Sequence, residues 1–322
     1  MNIYIGYDIG GTKCASIVAN VQGDNVEFIS RVEIPTEKRS PEIILDLLYK
    51  ATLESLEKTS INLSDLKAIG VSCGGPLNSK DGIILCPPNL PGWVNIKVCE
   101  ILRKQYNIPA YLQNDAKACA IAEWKWGAGR GTQNMIFCTM GTGFGAGLIL
   151  NGKIYTGTND MAGEVGHIRL AKDGPIGFGK AGSFEGFCSG GGIAQLAKMK
   201  AVKYLDNKIP TKLCENYEEL GNITAKKVCD LAKSDDIHAK EIINIAAKKL
   251  GYGLSILVDI INPEVIVIGS VYARSRMLFE PIVNEILKEE CISFSNEVCK
   301  VLPATLGDNI GDYAAIVVAC EN

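Results

Sequence analysis

Asp8-Ile9-Gly10-Gly11-Thr12-Lys13 lies close to the start of the sequence, with apolar Ile3 and Ile5 before it and Cys14-Ala15-Ser16-Ile17-Val18-Ala19 after it. Two extended runs joined by a Gly-Gly-Thr turn predict a β-hairpin. Paired glycines carry no Cβ, so main-chain N–H groups can turn toward an anion and approach it closely. Thr12 adds a hydroxyl donor, Lys13 a cation, and Asp8 a carboxylate able to hold hydrated Mg²⁺ against the same phosphates. A glycine pair alone would read as an ordinary tight hairpin. With acid, donor and cation around it, the turn at Gly10, Gly11, Thr12 and Lys13 reads as a phosphate site.

The motif is echoed further on. Met135 to Met140 predicts a strand leading into Gly141-Thr142-Gly143-Phe144-Gly145-Ala146-Gly147, and Leu148-Ile149-Leu150 returns as strand. This run lacks G-x-G-x-x-G spacing and leads into a strand, so it is no dinucleotide fingerprint, and no G-x-x-x-x-G-K-[ST] occurs either. Two glycine-threonine turns, one in each half, can face each other across a cleft and grip a triphosphate. Gly141, Thr142 and Gly143 are the candidates in the second.

The 322 residues suffice for two domains, and 47% hydrophobic content with 34 glycines fits an α/β enzyme. A net charge of −3 without a long basic run argues against a nucleic-acid surface. The start carries no signal-peptide pattern and no apolar run reaches about 18 residues, so no membrane span is expected. Twelve cysteines without any C-x-C or C-x-x-C pair read as reduced, packed thiols, which places the chain in the cytoplasm.

Between the two turns, Val26 to Ile34 predicts a third strand, Pro41 opens a helix, and Ile69 to Cys73 is a buried strand ending at Gly74-Gly75-Pro76. Three prolines make Cys86 to Trp93 an ordered loop, in which Asn89 and Trp93 either carry function or, for Trp93, plug the packing. Ala110-Tyr111-Leu112 delivers Asn114-Asp115 at a strand end, where ligands of open α/β sheets sit. Asp115 there can cap the helix that follows or accept a hydroxyl proton in phosphoryl transfer.

Beyond the second turn, Glu164, His167 and Glu185 form a polar cluster, while His238 reads as surface. Asp173 to Gly192 predicts a structured loop, and the stretch to about Lys249 a helical insertion. Asn262-Pro263 stops an amphipathic helix, and Val265 to Ile268 is a buried strand ending at Gly269. That glycine either forms a plain turn or admits a flat ligand such as adenine. Tyr313 to Cys320 predicts a helix packing back on the core.

Taken in order, Asp8–Lys13, Cys73–Pro76, Asn89–Trp93, Asn114-Asp115, Gly141–Gly147, Gly163–His167, Phe184–Gly192 and Ile261–Gly269 resemble the ROK family of sugar kinases and related repressors. The resemblance spans nearly the whole chain, and is weakest between about Ala201 and Lys249 and at the C-terminus. It implies an α/β fold of the actin-like ATPase and sugar kinase type (ribonuclease H-like), two domains around a central cleft. The implied division is 1–115 with a returning helix at 310–322, and 116–309 with a helical insertion at about 190–249. The implied activity is ATP-dependent phosphorylation of a hexose or N-acetylhexosamine at the 6-hydroxyl, with Mg²⁺ as cofactor, in a homodimer. Asp115 would be the general base. Gly75, Asn89, Asn114, Glu164, His167 and Glu185 would hold the sugar, the two turns the phosphates, and Gly269 the nucleoside side.

Two departures qualify this. Most relatives carry C-x-C-G-x-x-G-C-x-E after the G-E-x-G-H motif, and those cysteines join the histidine on zinc. Here Ile176, Phe178 and Ser183 stand in the three cysteine positions while Glu185 is kept. His167 alone cannot supply about four nitrogen or sulfur ligands, so no zinc is expected, with Ile176 and Phe178 stapling the loop by apolar packing instead. Ser270 and the Ile310-Gly311-Asp312-Tyr313 stretch also differ from the usual pattern. A sugar-sensing regulator is the alternative class. It needs a DNA-binding segment, for which a first strand at Ile3 leaves no room. A non-catalytic sugar-binding protein is disfavoured by Asp8, Lys13 and Asp115.

Overall fold

The hairpin forms as expected and begins a sheet that the second half of the chain repeats. The computed structural model describes residues 2–37 and 39–321. The first half runs β1 (Ile3–Ile9), β2 (Lys13–Gln22), β3 (Asn25–Pro35), α1 (Pro41–Thr59), β4 (Leu66–Cys73), β5 (Leu77–Asn78), β6 (Ile83–Ile84), α2 (Val98–Tyr106), β7 (Ala110–Asn114) and α3 (Asp115–Trp126). The second runs β8 (Met135–Cys138), β9 (Ala146–Leu150), β10 (Lys153–Tyr155), β11 (Ile176–Gly177), β12 (Lys180–Ala181) and α4 (Phe184–Cys188). It continues through α5 (Gly190–Asp206), α6 (Ala225–Lys233), α7 (Ile237–Ile261), β13 (Val265–Ile268), α8 (Ser270–Glu290), α9 (Ser293–Val298), β14 (Lys300–Pro303) and α10 (Ile310–Cys320).

Two five-stranded sheets result, ordered β3-β2-β1-β4-β7 and β10-β9-β8-β13-β14. Each has three antiparallel strands followed by two parallel ones. Strand for strand the second sheet therefore repeats the first, and the two glycine turns occupy equivalent corners, between β1 and β2 and between β8 and β9. In the second half the place of α1 is taken by the four helices α4 to α7.

The closing helices are exchanged. Helix α3 leaves the first sheet and packs on β8 and β9, whereas α10 leaves the second sheet and packs on β1 and β4. Glycines permit both approaches: a Cβ on Gly70 would lie 2.2 Å from the Ala315 carbonyl oxygen, and one on Gly147 would lie 2.4 Å from the Ala120 methyl carbon. Covered on both faces, β2 is buried along all but its ends, which is why its sequence reads as a continuous apolar run. This duplicated sheet with exchanged helices is the two-domain actin-like ATPase architecture.

Some expectations need correction and others hold. Asp173 to Gly192 is not one loop: it holds the β11–β12 hairpin and α4, and α5 already begins at Gly190. Three successive glycines at the start of α5 conceal its period, and the helix is capped instead by Ser189 Oγ accepting from Gly192 N at 2.8 Å. Trp93 is the packing plug, fully buried in the core of the first half. His238 is half-buried, stacked on Tyr204 at 4.0 Å between ring centroids. All twelve cysteines are free. Among the described residues no helix is long and apolar enough to cross a membrane.

Candidate active site

The carboxyl ends of β1, β4 and β7 open onto a cleft of about 490 Å³ between the two sheets. Strand β7 ends at Asn114, which caps α3 by accepting from Ala116 N at 3.1 Å and Lys117 N at 3.3 Å. Capping is thus done by Asn114, while Asp115 takes the first helical position with one oxygen accepting from Ala116 N at 2.7 Å. That division leaves the rest of the Asp115 carboxylate facing the cleft. Asp115 is open to cleft water, yet surrounding protein and lost solvation raise its pKa.

Asp8 is the last but one residue of β1, in the same sheet with β4 between it and β7. Its pKa is pushed up to about 6, by burial first and then by the charges of Asp115 and Asp312. A carboxylate whose proton affinity is raised by a second one beside it makes a suitable seat for a hydrated divalent cation. Glu164 lines the same cleft, its pKa raised by desolvation and opposed by the Lys117 ammonium.

The two turns approach from opposite sides. Gly10 and Gly11 line the cleft from the first half, and a Cβ on Gly11 would lie 2.4 Å from the Asn89 carbonyl oxygen, so the proline loop rests directly on the turn. Gly141, Thr142 and Gly143 line it from the second. Glu185, on α4, accepts from Phe144 N at 3.0 Å and so fastens that turn to the polar cluster. Gly75 and Asn89 also line the cleft, and the Gly75–Pro76 peptide is cis.

Four expected residues lie outside the cleft lining. Lys13 is directed to Glu33 on the neighbouring strand at 2.7 Å, and Thr12 is exposed beside it. His167 is exposed, and its carbonyl receives the Lys180 ammonium at 2.7 Å. Gly269 is buried, donating to the Cys138 carbonyl at 3.0 Å, with Ser270 next to the Gly141 turn.

The apolar staple expected at Ile176 and Phe178 is not formed: they are 55% and 75% exposed. Hydrogen bonds fasten that loop instead. Gly182 N donates to Pro175 at 3.0 Å, Arg169 to the Ala181 carbonyl at 2.8 Å, and Ile176 N to the Gln195 side chain. Ser183 takes the cysteine's position as an N-cap, accepting from Gly186 N at 3.1 Å.

Two site residues were missed in the sequence. Asp160 lines the cleft and crosses it, accepting from Ser79 N at 2.7 Å and Ser79 Oγ at 2.9 Å. Lys117 is buried and donates to the Asp160 carbonyl. Only the spacing Asn114-Asp115-x-Lys117, two residues past the expected base, hinted at a cation there.

The model of the ROK family matches residues 4–321. The chain belongs to the ROK family. A glucokinase of Halalkalibacterium halodurans is 32% identical over 283 residues, 87% of this chain and 83% of its own. A ROK family glucokinase from Streptomyces griseus, solved with glucose and AMPPNP, superposes with a TM-score of 0.78 at 26% identity, covering 100% of both chains. A xylose repressor of Caldicellulosiruptor bescii is 27% identical over 98% of this chain and 76% of its own. This ROK chain is thus similar both to sugar kinases and to regulators.

Proposed function

We propose that this chain is an ATP-dependent sugar kinase that phosphorylates a hexose or N-acetylhexosamine at its 6-hydroxyl. The observation that carries the reading is Asp115: a carboxylate with free acceptor capacity, at a strand end, in a cleft walled by two glycine turns. Asn89, Asn114, Glu164 and Glu185 supply acceptors and donors for sugar hydroxyls. Asp115 takes the proton as the hydroxyl oxygen bonds to the γ-phosphorus and the bond to the β-phosphate oxygen breaks, releasing ADP. Main-chain N–H groups of the two turns offset charge on the transferred group. Mg²⁺, held through water by Asp8, would neutralise phosphate charge. His167 would orient Glu164 and Glu185 from outside the lining, Thr12 and Lys13 would reach phosphate once Lys13 leaves Glu33, and Gly269 would flank the nucleoside.

We also assign residues 1–115 with 310–321 to one domain and 116–309 to the other, closing on the ligands to exclude water. The zinc-free loop and a homodimer complete the proposal. An ADP-release assay with Mg²⁺-ATP against hexoses and N-acetylhexosamines, with and without a zinc chelator, tests it. One sugar standing well above the rest and indifference to chelator are expected. Silence across the panel with ATP binding intact would favour a non-catalytic sensor. Loss of activity on chelation would overturn the zinc-free loop.

A further inference from the structure

The tip of the β11–β12 hairpin carries an unexpected residue. Gly177 pairs with Lys180, leaving Phe178-Gly179 as a two-residue turn with φ of +44° and +74°. Two successive positive φ values are those of a type I′ turn, where Asn, Asp or Gly is favoured at the first position because a bulky side chain is strained there. Phe178 is therefore the wrong residue for its turn, and it is also 75% exposed. Neither local conformation nor core packing accounts for it.

Its surroundings do. Phe178 lines the cleft together with Glu164 and Glu185. The hairpin is pressed against the start of α4, since a Cβ on Gly177 would lie 2.7 Å from the Glu185 Cβ. Lys180 ties it to the His167 carbonyl, and the His167 ring stands edge-on to Phe178 at 6.2 Å. The anchored hairpin thus presents the ring at the acidic end of the cleft, where carboxylates would repel phosphate and favour a neutral polyol. A pyranose is such a ligand: hydroxyls around its rim for the carboxylates, and a face of C–H groups for an aromatic ring.

We propose that Phe178 is a specificity-determining residue that packs on the C–H face of the sugar, holding it against Glu164 and Glu185. The proposal rests on the sugar-kinase reading. Its test compares wild type, Phe178→Asn and Phe178→Tyr by calorimetric titration of each panel sugar without ATP, by the KM for ATP, and by thermal midpoint. Asn suits the turn, so the first variant keeps or raises the midpoint, while its sugar affinity falls about tenfold or more and its KM for ATP is unchanged. Phe178→Tyr keeps the ring and binds within about threefold of wild type. Sugar affinity of Phe178→Asn within about twofold of wild type, or a lowered midpoint, overturns the proposal. A wild type that binds sugar but transfers no phosphoryl group refutes the kinase reading alone. A wild type that binds no sugar refutes both.

Discussion

Arg31 shares its Nε hydrogen between the two carboxylate oxygens of Asp312, at 3.0 and 2.9 Å, joining β3 to the first turn of α10. Its Nη1 also reaches Glu33 at 3.1 Å, and Glu33 holds Lys13, so a chain of charges runs from the first glycine hairpin to the exchanged helix. Asp312 is 6% exposed and helps to raise the pKa of Asp8, which Arg31 opposes. Arg31→Ala should destabilise the fold by about 1–3 kcal/mol, the half-exposed guanidinium moderating the loss. It should also move the acid limb of the pH–activity profile to higher pH. A midpoint and an acid limb both matching wild type would remove Arg31 from this account.

Asp115→Asn keeps an acceptor for Ala116 N but cannot take a proton. The expected result is a kcat lowered on the order of a thousandfold with little change in KM for the sugar. A loss below about tenfold would show that another group accepts the proton.

Asp8 carries the clearest signature in pH. Its folded pKa, about 6, lies above the ordinary value of 3.8, so the folded state holds its proton more tightly than the unfolded chain does. Ionising it costs stability above pH 6, and that cost fades as pH falls from about 6 toward 3.8. Asp8→Asn should raise stability at pH 7 by on the order of 1 kcal/mol, with the gain shrinking toward pH 4, while activity drops. If ionised Asp8 is the working form, wild-type kcat/KM falls as pH drops through about 6, and the raised pKa of Asp115 acts in the same direction. Paired melting curves and rate profiles across pH 4–8 read both, and a variant less stable than wild type at pH 7 would contradict the sign.

Glu123 is fully buried near the end of α3 and accepts from Ala128 N, Thr305 N and Leu306 N at 2.8–2.9 Å, and from the Thr305 hydroxyl at 3.3 Å. It fastens the tail of one exchanged helix to the segment entering the other. Glu123→Ala strands three main-chain donors and should cost about 2–4 kcal/mol in urea titration. Glu123→Gln should recover part of this, because its amide keeps one acceptor oxygen. Equal losses in both variants would point to charge rather than acceptor count.

The parts of the site that sit on short local patterns were readable. Asp8–Lys13 announced its hairpin because acid, glycines and cation lie within six consecutive positions, and Asn114-Asp115 because an apolar run ends there. Asp160 was hidden because its meaning comes from Ser79, 81 residues away. The pairing of Lys13 with Glu33 was hidden as well, because a cross-strand neighbour is revealed only by register. Phe178 was misjudged for a different reason. In a line of sequence a phenylalanine among glycines looks like core, and only its exposure and its place in the cleft lining show otherwise.

The exchange of α3 and α10 bears on how the protein is made. Strands β1 and β4 emerge early in synthesis, yet the helix that roofs their Gly6–Gly70 face follows every other element of the fold. The first sheet must wait, one apolar face bare, until all the residues between Ile9 and Ile310 have been added after β1. The half that is begun first is therefore finished last, and a ribosome that stalls before Ile310 leaves the first sheet without its roof although every strand of the second sheet, and the α3 helix that packs on it, has already been made.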